Sequence, residues 1–585
     1  MTKTAIHVDH VARIEGHGNV HVVIEDGIVK TVEMNVVEPA RLFESMVRGR
    51  SYREVSYISS RICGICSASH VVTDLKAIER AFGVQVTPRT RALRELLVYG
   101  SYLQNHATHL FVLAAPDFVG QKSVFPLAET DPELFDKALG LKALGNELCT
   151  KVGGRSIHPI TAVVGGFTHE LEAGEYRALA EKMDEAAAFA AAAVDLFASF
   201  PVPSITTAGD MLAMVEPDYY PVECSDTARF LDAGIEFDAN DVAAHLEEYE
   251  MPHSAALLAR VRETGSPFFT GALARINASW QHLGQNAKVA AAKAGLRPPE
   301  RNPFMNNVAQ AVELVDALDR CAGICRALAE PGGVEGSSEP VDFEVKAGRG
   351  VGFTEAPRGA LFHALEFDDE GRVVHASIMT PTAQNVANLE ADMRLLAEQL
   401  VAEGAGEDDV RGEIERRGRA HAPCLPCRVH WGVWGAHGPH DLPTLRGPLV
   451  PDLHAIPEAR VPKYASPPRS RESRARGGLS LTCYANRGGG FRAAREAQDA
   501  SLLRGATCAN NGARRYSRIL HSPRRGALLS ARSREARKRE PRLLFRLRRN
   551  GRSGERPYGQ PAEKKATGAG GPSPAPPAGG VPPPR

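Results

Sequence analysis

The sequence has no apolar run near the roughly 18 residues that a membrane helix requires. The apolar stretch 187–193 is short and has acidic residues on both sides. A membrane span is therefore not expected. The start, Met1-Thr2-Lys3-Thr4-Ala5-Ile6-His7-Val8, lacks a basic region followed by an apolar run. It reads as a strand and not as a secretory signal. Net charge is also lacking, with 70 Lys and Arg against 70 Asp and Glu. That balance hides an asymmetry. Residues 431–585 are rich in Arg, so the remainder is acidic, and the neutral total says little about partners. Without a secretory signal, the ten cysteines are expected to be reduced and cytoplasmic, and so available to metal. A dinucleotide loop is missing as well. Gly348, Gly350 and Gly352 make a GxGxG, but it lies between strand-like segments and opens no helix,.

What is present is a chain long enough for two to four domains at 585 residues,. Its composition is globular, with 43% hydrophobic and 24% charged residues. Residues 5–37 alternate in β fashion around Glu25-Asp26-Gly27, a hairpin signal. Inside the hairpin entry, Glu15 taken locally is a solvated turn carboxylate. Residues 39–83 turn helical, and Glu44 there reads as a surface charge. Residues 89–115 predict a long helix ending at Ala115-Pro116-Asp117-Phe118. Its His106 and His109 sit on a mostly apolar face, where satisfied core histidines are commoner than ligands. Helices are expected over 130–155, 172–199 and 306–329, and 200–300 mixes short strands and helices. Cys321 and Cys325, i,i+4 on one helix face, read as core residues. Residues 333–380 return to β, and helices follow over 385–403 and 408–419. The fold class expected is α+β, mainly helical: a helix bundle with peripheral hairpins and sheets.

Beyond residue 430 no period is sustained, and Arg, Pro, Gly, Ala and Ser dominate. Such a composition cannot bury enough apolar surface to offset chain entropy. Residues 431–585 are expected to be a disordered tail behind a 1–430 domain. Their composition is that of a GC-rich gene read out of frame.

The chemistry-bearing residues are two cysteine pairs. Arg61-Ile62-Cys63-Gly64-Ile65-Cys66 is followed by His70, and Cys424-Leu425-Pro426-Cys427 by His430, more than 350 residues downstream. On a helix, Cys63 and Cys66 would share a face, with His70 one turn beyond. Zinc is the common answer for four thiolates. Structural zinc sites close loops of tens of residues, however, and neither trailing His is needed there. Soft thiolates suit iron or nickel equally.

Taken together, Arg61-Ile62-Cys63-Gly64-Ile65-Cys66 with His70, and Cys424-Leu425-Pro426-Cys427 with His430, resemble the two cysteine motifs of [NiFe] hydrogenase large subunits. Arg13-Ile14-Glu15-Gly16-His17 and Glu355-Ala356-Pro357-Arg358-Gly359 resemble two further signatures of that family. The likeness runs over roughly residues 5–430. Pro116-Asp117-Phe118-Val119-Gly120 and Asn302-Pro303-Phe304-Met305-Asn306-Asn307 are most similar to the cytoplasmic multimeric group, which couples hydrogen to soluble cofactors such as NAD(P).

The resemblance implies reversible heterolytic cleavage of dihydrogen. Cys63, Cys66, Cys424 and Cys427 would bind nickel. Cys66 and Cys427 would bridge to an iron carrying carbon monoxide and cyanide. His70 would hydrogen-bond the Cys66 sulfur. Arg358 would lie over the metals with Asp117 nearby, and Thr382, beside Pro381, would contact a cyanide. Glu44, His430 and the Ile378 carbonyl would hold magnesium. The proton would pass from the Cys424 sulfur to Glu15, which changes the local reading of that residue. The chain has no further dense cysteine cluster, so the electrons require an iron–sulfur small subunit. Diaphorase-type NAD(P)/flavin subunits and a maturation protease are the other partners implied, and nucleic acid is not.

Two departures stand out. The family's second motif begins Asp-Pro-Cys, and here it is Ala422-Pro423-Cys424. Family members also end soon after the final His, where a protease trims the precursor, whereas 155 residues follow His430 here. Rival readings are an unprocessed precursor, an inactive relative such as a hydrogen sensor, a quinone-site subunit of respiratory complex I, and a structural zinc protein. The quinone-site relative lacks the cysteine pairs, and the spacing disfavours zinc.

Overall fold

The computed structural model describes residues 3–8, 11–36, 41–421 and 423–424. The chain divides into two units, 1–451 and 452–585, and every described residue belongs to the first. The expected 431–585 tail therefore lies outside the described residues, as do Ala422, Cys427 and His430.

Near the N-terminus β1 (Lys3–Val8), β2 (Gly18–Glu25) and β3 (Ile28–Val36) form an antiparallel sheet. Asp26 and Gly27 close the β2–β3 hairpin, both with positive φ, at 50° and 75°. A two-residue turn matching the twist of its strands needs that conformation. Alternate residues such as Val20, Val22, Val32 and Met34 are buried, so one face of the sheet covers an apolar cluster.

The expected helical stretch 39–83 is broken into pieces. α1 (Leu42–Val47) and α2 (Tyr52–Ser59) come first, and Ser51 with Glu54 caps α2 by a reciprocal capping box,. A single 3₁₀ turn and a loop precede α3 (Ser67–Phe82), which Gly83 ends at φ 74°. α4 (Pro88–Ala107) continues through a π-helical stretch, Thr108–Ala114, into the short helix Ala115–Phe118. Then come α5 (Pro132–Gly153), α6 (Ala173–Ala198) and α7 (Asn306–Ala329). Faces of α3 to α7 share the largest apolar cluster, in which Leu96, Leu148, Met183, Val194 and Leu314 are buried. Cys321 and Cys325 belong to the same cluster. Burial pushes the Cys325 thiol up to about 12 and also raises the Cys321 thiol well above its ordinary value, which agrees with a packing role.

Expected β structure over 333–380 begins only at residue 348. β4 (Gly348–Ala356), β5 (Gly359–Phe367) and β6 (Val373–Met379) form an antiparallel sheet in sequence order. The three glycines of the GxGxG lie inside β4, all on one face. A Cβ at Gly348, Gly350 or Gly352 would collide with the carbonyl oxygen of Ala81, Ala77 or Thr73 respectively. Two strand residues advance about 6.6 Å and four helical residues about 6 Å. The i,i+2 glycines therefore match the i,i+4 carbonyls of α3, and strand and helix meet backbone to backbone. That explains these glycines without any nucleotide. Val351 and Phe353 on the opposite face pack with Met214 and Phe230 of a four-stranded sheet. α8 (Pro381–Ala402) starts directly after β6, earlier than expected, and α9 (Glu407–Ala420) follows. No helix among the described residues is long and apolar enough to cross a membrane.

Candidate metal centre

Five separate places in the chain deliver side chains to one buried spot. The first is the loop 11–17. Arg13, with φ 59°, and Gly16, with φ 88°, bend it so that Glu15 forms a parallel bridge with Cys424. The second is the Cys63–Cys66 turn. Here the expectation of a shared helix face is corrected. Cys63 is extended (φ −144°, ψ 126°) and Cys66 caps the N-terminus of α3 (φ −105°, ψ 8°). An i,i+3 pair fits a tight turn as well as a helix. The turn lets the Cys66 backbone N–H donate to the Cys63 sulfur at 3.3 Å, a bond a helix interior would not allow.

The third place is the tip of the β4–β5 hairpin, where Pro357 and Arg358 span the Ala356–Gly359 pair. Arg358 is 3% exposed. Its Nη1 donates to the Cys66 sulfur at 3.0 Å, and its Nη2 lies 3.7 Å from a Glu15 carboxylate oxygen. The fourth is the first turn of α8, where the Thr382 hydroxyl accepts the Cys424 backbone N–H at 3.2 Å. Pro381 supplies the preset φ of that first turn,. The fifth is the segment after α9. Asn306 and His109 hold it by bonds to the carbonyls of Ala420 and Arg419, at 2.9 and 2.7 Å.

At the centre, the Cys424 sulfur lies 3.4 Å from the Cys63 sulfur and 3.2 Å from a Glu15 carboxylate oxygen. The same oxygen is 3.8 Å from the Cys63 sulfur. Cys63, Cys66 and Cys424 are at most 3% exposed, whereas the Glu15 side chain is 32% exposed. Glu15 therefore connects a buried sulfur pair to the outside. Ile62, Ile378 and Phe43 wall the spot with apolar surface. Sulfurs of two ligands on a metal with bonds of about 2.3 Å stand at a separation of this order. Thiols converging in an apolar pocket, with N–H donors aimed at one of them, fit a soft transition metal.

The other expected residues fall as follows. Glu44 is buried beside Ile378, and its carboxylate accepts the Ile378 N–H at 2.7 Å. His70 Nδ1 is 3.1 Å from His363 Nε2, and His363 Nδ1 is 2.6 Å from Asp74, so His70 belongs to a buried chain of polar groups. Arg13 and Arg419 hold the Asp117 carboxylate, with Arg419 Nη2 at 3.0 Å. Residue-by-residue reading missed Asn105, whose side-chain N–H donates to the Cys66 sulfur at 3.5 Å, and His363. His106 and His109 are buried core histidines: His109 is bonded at both nitrogens, to Gln310 at 2.6 Å and to the Arg419 carbonyl at 2.7 Å, whereas His106 bonds Glu313 at 2.9 Å through Nε2 and its Nδ1 meets no partner among the described residues.

Residues 41–134 match the model of the nickel-dependent hydrogenase family. Over 430 residues the chain is 35% identical to sulfhydrogenase 1 subunit alpha of Pyrococcus furiosus, covering 73% of this chain and 97% of that one. The chain belongs to the nickel-dependent hydrogenase family. The subunit beta of the NAD-reducing hydrogenase HoxS of Cupriavidus necator is 29% identical over 477 residues, 72% of this hydrogenase chain and 94% of that relative. A crystal structure of an NAD+-reducing [NiFe]-hydrogenase in the H2-reduced state superposes with a TM-score of 0.64 at 28% identity, covering 74% of this chain and all of that one. This hydrogenase chain is a catalytic large subunit with an active site built on nickel and iron, and the α+β, mainly helical architecture is that of its family.

Proposed function

We propose that Cys63, Cys66, Cys424 and Cys427 would hold nickel, and that Cys66 and Cys427 would also hold an iron carrying carbon monoxide and cyanide. The observation that carries this reading is the 3.4 Å approach of the Cys63 and Cys424 sulfurs beside the Glu15 carboxylate. They come from segments 361 positions apart. The nickel–iron pair supplies the Lewis acid that makes dihydrogen acidic enough to split and takes up its electrons.

The chain's own residues do the rest. Cys424 receives the proton on its sulfur and passes it to Glu15, within hydrogen-bond reach at 3.2 Å,. Glu15, one-third exposed, releases it outward. Arg358 sets a fixed positive charge against the Cys66 sulfur, 3.0 Å away. Burial works against its charge, but the neighbouring Cys66, Cys424 and Cys63 sulfurs and Glu15 outweigh it and hold the guanidinium pKa well above the ordinary arginine range. Asn105 adds a second donor to the same sulfur. His70, anchored through His363 and Asp74, is held to serve that sulfur too. The Thr382 bond to the Cys424 backbone orients the cysteine, and Thr382 and Pro381 would line the pocket for a cyanide of the iron. Magnesium would take Glu44, the Ile378 carbonyl and His430.

The catalytic domain in this reading is 1–430, working in the cytoplasm. Its small subunit docks on the surface beside the Cys63–Cys66 turn. Ile157, which lies against Gly64, is exposed there, with Ile160 and Tyr57. Exposed apolar side chains beside the Cys63–Cys66 turn fit such a partner. Diaphorase-type NAD(P)/flavin subunits would lie beyond it, and a protease would trim the precursor. Metal analysis of the purified complex tests the assignment. Nickel and iron near one each per large subunit support it, and zinc alone overturns it.

A further inference from the structure

The tip of the β4–β5 hairpin carries Arg358, and something must keep that tip still. A two-residue turn ending in Gly359 at φ 133° does not stiffen itself. Directly behind it lies Arg275, in the helix Ala272–Ser279, and 2% exposed in its side chain. Every donor of its guanidinium is used. Nε and Nη2 grip the Glu313 carboxylate at 2.6 and 2.7 Å. Nη1 donates to Glu355 at 3.0 Å. The two remaining N–H groups point at the turn itself: Nη1 donates to the Ala356 carbonyl at 3.0 Å and Nη2 to the Pro357 carbonyl at 3.1 Å.

Those are the two peptide carbonyls immediately before Arg358. Glu313 is fixed in turn by His106 and by the Tyr220 hydroxyl, at 2.9 and 2.7 Å. The Tyr102 hydroxyl donates to the Glu355 carbonyl at 3.0 Å. The arrangement needs a planar fork with five donors. A lysine would keep the charge and lose the fork.

We propose that Arg275 is a positioning residue for hydrogen activation, clamping the Ala356 and Pro357 carbonyls so that Arg358 stays on the Cys66 sulfur. The inference rests on the reading of Arg358 given above. It requires that Arg275 act on turnover through Arg358 and by no other route. A displacement of about 1 Å at a reacting group can cost on the order of 100-fold in rate.

The test is a double-mutant cycle in the purified multi-subunit enzyme, using Arg275→Lys, Arg358→Lys and the pair, read by hydrogen uptake, nickel and iron content, and the nickel electron paramagnetic resonance spectrum. Arg275→Lys is expected to load both metals normally, to shift the nickel spectrum as Arg358→Lys does, and to lose about 10-fold or more in rate. In the Arg358→Lys background the same change should cost less than about twofold. An equal loss in both backgrounds, or an unshifted spectrum, overturns the clamp. An unchanged rate for Arg358→Lys alone overturns the reading of Arg358 instead. Should Arg275→Lys fail to assemble, Glu313→Gln loosens the same fork from behind while keeping its shape. It must show the same masking by Arg358→Lys, or the clamp is wrong.

Discussion

The Glu15 carboxylate stands 3.2 Å from the Cys424 sulfur, and the two residues also share a backbone bridge. One of them is buried and the other one-third exposed. Glu15→Gln keeps the volume and the hydrogen bond but cannot accept a proton. Loss of a positioned base costs about 100-fold to 10,000-fold. Hydrogen uptake is expected to fall by that order, with nickel and iron content unchanged. An isotope-exchange assay on the loaded enzyme checks it, and a variant retaining wild-type exchange would remove Glu15 from the proton route.

The glycines of β4 give a structural prediction with an internal control. A Cβ at Gly352 would collide with the Thr73 carbonyl and with the Ala77 nitrogen. Both are backbone atoms of α3 and cannot swing aside, and Cys66 caps the N-terminus of α3. Gly352→Ala should destabilise by about 3 kcal/mol and weaken metal retention. Gly140, in α5, has no atom within 4 Å of an added Cβ. Gly140→Ala should stabilise by about 0.5–1 kcal/mol. Denaturant titration of the two variants separates a packing role for the β4 glycines from a general intolerance of alanine.

The parts legible in the sequence were those whose chemistry is concentrated in a few neighbouring residues. Cys63, Cys66, Glu15 and Arg358 announce themselves by motif, and the structure brings all four to one spot together with Cys424. The Asp26-Gly27 hairpin was legible because two positive φ angles demand such residues. Backbone conformation around Cys63 was not, because i,i+3 spacing suits a helix and a turn equally. Asn105, Arg275 and His363 were invisible because each acts on a group far away in the chain, and nothing local marks a helix or strand residue for that work. Gly348, Gly350 and Gly352 resembled a phosphate loop in spacing, and only the carbonyls of α3 reveal their use.

His109 makes stability depend on pH. It is fully buried, with Nε2 donating to the Arg419 carbonyl and Nδ1 against Gln310. Burial, the largest influence, pushes its pKa down to about 4 from an ordinary 6.5. The unfolded chain therefore takes up a proton near pH 6.5 that the folded chain refuses until about pH 4. The stability this contributes is complete above pH 6.5 and is lost as pH falls towards 4. Between pH 7.5 and 5 the wild type should lose about 2 kcal/mol more than His109→Gln. Denaturant titrations at the two pH values measure the difference, and parallel losses would show that His109 is not the group responsible.

Asp117 poses a sharper question, because its carboxylate is bonded by two arginines other than Arg358. Its carboxylate joins Arg13, two residues before Glu15, to Arg419, five residues before Cys424. Arg419 also donates to the Ala12 carbonyl at 3.1 Å. The carboxylate thus ties together the two segments that bring Cys424 and Glu15 side by side. Asp117→Asn keeps the shape but takes the shared carboxylate from two facing guanidiniums, leaving Arg419 with Glu415 alone at 3.1 Å. With the Arg13 and Asp117 side chains 17% and 8% exposed, solvent offsets part of that cost, and about 2 kcal/mol should be lost. If Asp117 ties the segments, activity and melting temperature fall together, and added salt, which screens the two cations, recovers part of both. If Asp117 acts at the metals instead, activity falls while the melting temperature stays at the wild-type value. Calorimetry and hydrogen uptake on the same preparation distinguish the two roles.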